Sequence, residues 1–147
     1  MLRTVLPLAL VLAACGPKDS NVQAAGAGIG STQVPDDASS RKFAVKLLGL
    51  QVLSWTPSTS GAVQLVYNTL TFLDQNRWQA DATLSVLDEE TSCRENGVWT
   101  MEPARSSNTA TVEMTVEKTS CPDREAGTTV RVDATILQDG TYKFVKQ

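Results

Sequence analysis

The chain has no histidine among its 147 residues. That removes the serine–histidine and cysteine–histidine nucleophile pairs, the commonest general base, and the usual zinc and copper ligands. Aromatic residues make up only 5% of the chain, and cysteine occurs three times with no Cys-x-x-Cys spacing. Neither charge sign dominates: sixteen acidic residues stand against thirteen basic ones, spread without long runs. The basic stripe that nucleic acid demands is therefore missing. No apolar run approaches the roughly 20 residues needed to cross a bilayer as a helix. The longest, Thr4 to Ala14, is interrupted by Pro7. The expectation is a non-enzyme without cofactor, metal or nucleic-acid partner.

The order of the first residues is informative. One cation, Arg3, precedes the apolar run, as in a bacterial export signal. The run ends in Leu12, Ala13, Ala14 and Cys15, which resembles the lipobox of bacterial lipoproteins. The resemblance implies a signal peptide over residues 1–14, cleavage before Cys15, and a diacylglycerol thioether on its sulfur. Each buried acyl methylene contributes about 0.8 kcal/mol, so two or three chains hold a protein at a membrane while its polypeptide stays in water. In Gram-negative members an aspartate after the cysteine favours the inner membrane. Gly16 stands there, implying a protein carried on the outer membrane and facing the periplasm.

Residues 16–40 hold four of the nine glycines and almost no large apolar side chain. Such a segment cannot offset its ordering entropy by burial. With Cys15 it reads as a lipidated tether over 15–40, spanning on the order of 25 to 30 Å. The GAGIG within it lacks the flanking strand and helix of a phosphate loop.

A single small domain is expected over residues 41–147. Ser39 and Ser40 precede KFAVKLL, where Phe43, Lys46 and Leu47 have the spacing of a short capped helix. Beyond it the period changes to two. Trp78, Ala80, Ala82, Leu84 and Val86 alternate with polar residues, as do Val112, Met114 and Val116, and Val130, Val132, Ala134 and Ile136. Each strand has one dry and one wet face, as antiparallel sheet requires. Turn residues fall between the runs at 74–76, 88–90, 106–108, 123–127 and Asp139-Gly140. The predicted strands are 49–55, 63–73, 77–87, 97–103, 109–118, 128–137 and 141–146. The predicted fold is all-β, an antiparallel up-and-down meander of about seven strands closing into a small barrel or half-barrel.

The succession LTFLDQNRWQADATLSV, CRENGVWTM, TVEMTVEKTSCP and DGTYKF is similar to the lipocalin-like β-barrel domains found on many bacterial lipoproteins. The resemblance covers about residues 47–147.

With Cys15 assigned to lipid, Cys93 and Cys121 remain, in a compartment that permits disulfides. If 97–103 and 109–118 form a hairpin turning near Ser106, the two cysteines lie at its open base, within bridging distance. Closing that loop removes about 3.6 kcal/mol of unfolded-state entropy in the chain model. Both cysteines follow Thr-Ser and precede an Arg-Glu pair, Arg94-Glu95 and Arg124-Glu125. Either these are two similar turns with solvated charges, or the four residues form a paired surface patch, since loops on a rigid scaffold commonly carry binding. Asp88-Glu89-Glu90 lacks the interleaved ligands and glycine of a calcium loop and reads as a charged turn.

By period, Phe72, Trp78, Trp99, Met101, Met114, Tyr142 and Phe144 face inward among several alanines. Large and small residues so interleaved either fill a core or wall a shallow apolar cavity. Two functions follow. One is a lipid-anchored envelope module that binds a protein or cell-wall partner. The other is a lipocalin-type carrier of a small apolar molecule.

Overall fold

The structure is a computed structural model and describes residues 34–147. Cys15, the signal and most of the tether lie outside the described residues. The described residues begin within the stretch assigned to the tether, and part of that stretch is folded: Val34 is buried, and helix α1 spans Ala38–Leu47. Its cap is Asp37 rather than Ser39 or Ser40. The Asp37 carboxylate accepts the Ser40 backbone N–H at 2.9 Å and the Ser40 hydroxyl at 2.5 Å, satisfying a donor that the helix leaves orphaned. Ser40 is fully buried, and its Oγ also accepts the N–H of Ala104 at 2.8 Å. Ser40, Phe43, Ala44 and Leu47 form the buried stripe. After the helix, Gly49 takes a positive φ of 75° and donates its N–H to the Phe72 carbonyl at 2.8 Å. That reversal sends the chain straight into the sheet.

Seven strands follow: β1 Gln51–Ser60, β2 Val63–Leu73, β3 Arg77–Val86, β4 Glu89–Met101, β5 Thr109–Thr119, β6 Thr129–Ile136 and β7 Tyr142–Lys146. Each pairs antiparallel with its successor, in the order β1-β2-β3-β4-β5-β6-β7. The meander curls into a nearly closed barrel. α1 packs at the end of the barrel where β5 begins and β6 finishes, and Lys46 donates there to the Ser107 carbonyl at 2.8 Å. β1 and β7 meet without a ladder among the described residues. Their seam is held by the Leu53 N–H, which donates to Tyr142 Oη at 3.0 Å, and by an edge-on contact of Trp55 with Phe144.

Four turns lie where the sequence places them: residues 74–76, the connection after Met101, the stretch 123–127 between β5 and β6, and the hairpin with Gly140 at φ 84°. The charged turn at 88–90 does not. The reversal is made by Leu87 and Asp88, both at positive φ, and Glu89 and Glu90 already belong to β4. β4 therefore starts well before the predicted residue 97. Its first four residues, 89–92, are exposed, so no dry face reveals them in the sequence. Backbone pairing to β3, from Val86↔Glu89 to Arg77↔Val98, holds them in the sheet. β1 likewise runs on to Ser60, through an irregularity between Trp55 and Ser58 that accommodates Pro57.

The interior is occupied by the protein's own side chains. Phe72, Trp78, Trp99 and Met114 are essentially inaccessible, and Met101 is buried. Tyr142 and Phe144 are only half-buried because β7 is an edge strand at the seam. Two rings that the periodicity did not single out complete the packing. Tyr67 lies 5.9 Å from both Trp55 and Trp78, and Phe72 meets Trp99 edge-on at 6.2 Å. Ala80, Ala82, Ala110 and Ala134 are buried among these larger residues.

Candidate functional site

The charged residues singled out in the sequence gather around the base of the β4–β5 hairpin. From Met101↔Val112 to Gly97↔Val116 the two strands keep one register. Glu117 is then an extra residue, and the pairing resumes as Asn96↔Lys118 and Glu95↔Thr119. This bulge needs glycine at 97, since a Cβ there would lie 1.8 Å from the Thr115 carbonyl oxygen. Without the extra residue Cys93 would fall opposite Ser120. With it, Cys93 meets Cys121, their Cα atoms 4.9 Å apart and their sulfurs at bonding distance. The hairpin-based expectation for this pair agrees with the structure.

Two residues beyond Cys93 on the inward face of β4 lies Glu95, whose side chain is fully buried. Its Oε1 accepts from Thr119 Oγ1 at 3.0 Å and from Arg124 Nε at 2.9 Å. Its Oε2 accepts from Arg124 Nη2 at 3.1 Å and from the Tyr67 hydroxyl. Arg124 belongs to the loop 120–128 between β5 and β6. The disulfide ties this loop at Cys121, and the guanidinium reaches back over the barrel end. Both oxygens thus have charge-assisted or hydroxyl donors, the arrangement a buried carboxylate needs.

The titration of the group follows from this geometry. Burial pushes the Glu95 carboxyl up, but the donors, Arg124 first and Tyr67 next, outweigh it and hold it below the ordinary carboxylate range. Burial and then the adjacent carboxylate push the Tyr67 phenol well above its usual value. The hydrogen bond to Glu95 raises Arg124 in turn. The cluster is a fixed ion pair with a neutral tyrosine, and its chemical effect is to pin the loop to the barrel wall.

The four-residue surface patch is therefore not formed. Glu95 is buried and Arg124 is turned inward with its side chain 15% exposed. Arg94, on the outer face of β4, pairs instead with Asp81 at 2.6 Å. Glu125 is exposed, and its carbonyl accepts from Thr128 Oγ1 at 2.7 Å. The repeated Thr-Ser-Cys phrase misleads because its first copy is mid-strand, where alternate residues face opposite sides, and its second is a loop. The sequence period conceals Tyr67 because β2 bulges at Asn68, between Tyr67↔Ala82 and Thr69↔Asp81. Its inward residues shift there from odd numbers (Leu65, Tyr67) to even ones (Leu70, Phe72).

Among the described residues no helix is long and apolar enough to cross a membrane, and no three acidic or thiol side chains group as metal ligands. No protein-family model, curated protein or solved structure matches the chain.

Proposed function

We propose that the protein is a lipid-anchored lipoprotein of the cell envelope whose barrel is a non-catalytic interaction module. The observation that carries the reading is Leu12-Ala13-Ala14-Cys15 at the exit of a short apolar run behind a single cation. Such a run is too short to remain as a membrane helix, and the cysteine supplies the atom for a thioether anchor. The barrel's character supports a binding role at its surface over one in its interior. Its inward face is filled by Tyr67, Phe72, Trp78 and Trp99 packed ring to ring, so an apolar ligand would have to displace the protein's own core. A barrel held by a tether of this length reaches partners within the tether's span of the membrane, on the order of 25 Å.

Fractionation of cells expressing the full chain tests the anchor. The wild type is expected in the membrane fraction and to incorporate labelled fatty acid. Cys15→Ser is expected in the soluble fraction, with an unchanged far-ultraviolet spectrum. A Cys15→Ser protein that stays with the membrane overturns the reading.

A further inference from the structure

β4 is longer than the partner on its far side. It pairs with β3 along its whole first half, from Glu89 onward, but β5 accompanies it only as far back as Glu95↔Thr119. One more contact extends the match: the Arg94 carbonyl accepts the Ser120 N–H at 2.9 Å, and the Arg94 N–H donates to Ser120 Oγ at 2.9 Å. There the chain turns away to Cys121 and the loop. In an antiparallel strand the groups facing a given neighbour recur every second residue. Arg94 faces the β5 side, so the N–H and C=O of Ser92 and Glu90 point the same way. Residues 89–92 are exposed, and no described residue pairs with this edge. It is an open template for another strand.

The surroundings of the edge select what fits. Asp88, Glu89 and Glu90 stand together at the hairpin tip. None of them is in an ion pair among the described residues. Arg94, four residues beyond Glu90 along the same strand, and Arg124 in the loop after β5 are already committed, to Asp81 and Glu95. A second copy of the chain would bring the same three carboxylates to the same edge, and like charges across a strand pair are unfavourable. Beside the acids, Leu87 is 75% exposed and Val63, across from Val86, is 40% exposed. The tip therefore combines apolar contact, negative charge and free backbone groups.

We propose that the edge of β4 at Glu90 and Ser92 binds an extended basic segment of a partner protein, which adds as a strand in line with β5. The main-chain bonds supply the pairing, and lysine or arginine at alternate positions meets the acids at the tip. This deepens the reading of the barrel as an interaction module and rests on it. It does not depend on the anchor, whose test is the fractionation of Cys15→Ser.

The experiment uses the isotopically labelled full chain in detergent micelles, titrated at low salt with a capped peptide of alternating lysine and valine. Binding is expected to slow amide exchange at Glu90 and Ser92, by about tenfold or more. Ser92→Pro removes an edge N–H that is outside the β3 ladder, so the fold is kept while affinity falls about tenfold. Glu89→Lys with Glu90→Lys leaves the backbone intact and is expected to weaken binding by a similar factor, and it decides the matter if Ser92→Pro fails to fold. The alternating glutamate and valine peptide is expected not to bind. The proposal is overturned if the lysine peptide fails to bind, if it binds without protecting Glu90 and Ser92, or if the acid-to-lysine variant binds it equally well. A concentration-dependent dimer that Ser92→Pro abolishes would also overturn it, by assigning the edge to self-pairing.

Discussion

Glu95 and Arg124 face each other through two parallel hydrogen bonds, Nε to Oε1 at 2.9 Å and Nη2 to Oε2 at 3.1 Å, joining the wall of the barrel to the loop over its end. Breaking a buried pair by removing one partner leaves the other charge uncompensated. Glu95→Gln is expected to destabilise the fold by about 3 kcal/mol. Arg124→Met, which strands the carboxylate, is expected to cost at least as much. The double variant should recover part of the loss. Urea denaturation of the four proteins measures the coupling, and strictly additive effects would show that the pair does not act as a unit.

The same carboxylate makes stability depend on acidity. Glu95 is held below the ordinary range when folded, while the unfolded chain protonates it near the usual value of about 4.3. The unfolded state therefore takes up a proton that the folded state refuses. The stabilisation is complete above the ordinary carboxylate range and is lost as pH falls through the folded value. Asp133 is displaced the same way, chiefly by the Thr111 hydroxyl, and contributes with the same sign. Melting temperatures taken between about pH 6 and pH 3 should fall less steeply in Glu95→Gln than in the wild type. Parallel curves would contradict the assignment.

Leu87 and Asp88 make the β3–β4 turn at φ of 48° and 69°. This is the left-handed region, which asparagine and glycine occupy readily and leucine does not. Replacing the two residues by Asn-Gly is expected to stabilise the protein by about 1 kcal/mol. Thermal unfolding measures the change. A lower melting temperature would mean that the exposed Leu87 side chain contributes contacts outweighing its backbone strain.

Gly97 sits against the Thr115 carbonyl with no room for a Cβ. Gly97→Ala must open the bulge that sets Cys93 opposite Cys121. The expected cost is about 2–4 kcal/mol, with slower oxidation of the reduced pair during refolding. Thiol trapping at intervals follows the second effect, and an unchanged oxidation rate would separate the bulge from the bridge.

Much of the fold was legible because burial leaves its period in the sequence. The alternation through Trp78, Ala80, Ala82 and Leu84 exists because one face of β3 is dry, and the same holds for β5 and β6. Where a strand has no dry face the signal disappears, and so the start of β4 was missed. Where a bulge intervenes the parity slips, which hid Tyr67. The cysteine pair was legible from the count left after Cys15 together with hairpin symmetry, while the bulge that aligns it leaves no mark in the pattern. The charged site was half legible. Arg94, Glu95, Arg124 and Glu125 do lie about one hairpin base, but Glu95 reads as a surface residue until Arg124 and Tyr67 are placed beside it.

The seam between β1 and β7 has a mechanical consequence. A barrel closed by a continuous ladder has a circumference fixed by its hydrogen-bond register. Here one tyrosine hydroxyl and one edge-on contact of two rings hold the last junction. The girth of the barrel can therefore change by parting along a single line, with the six ladders between neighbouring strands left whole.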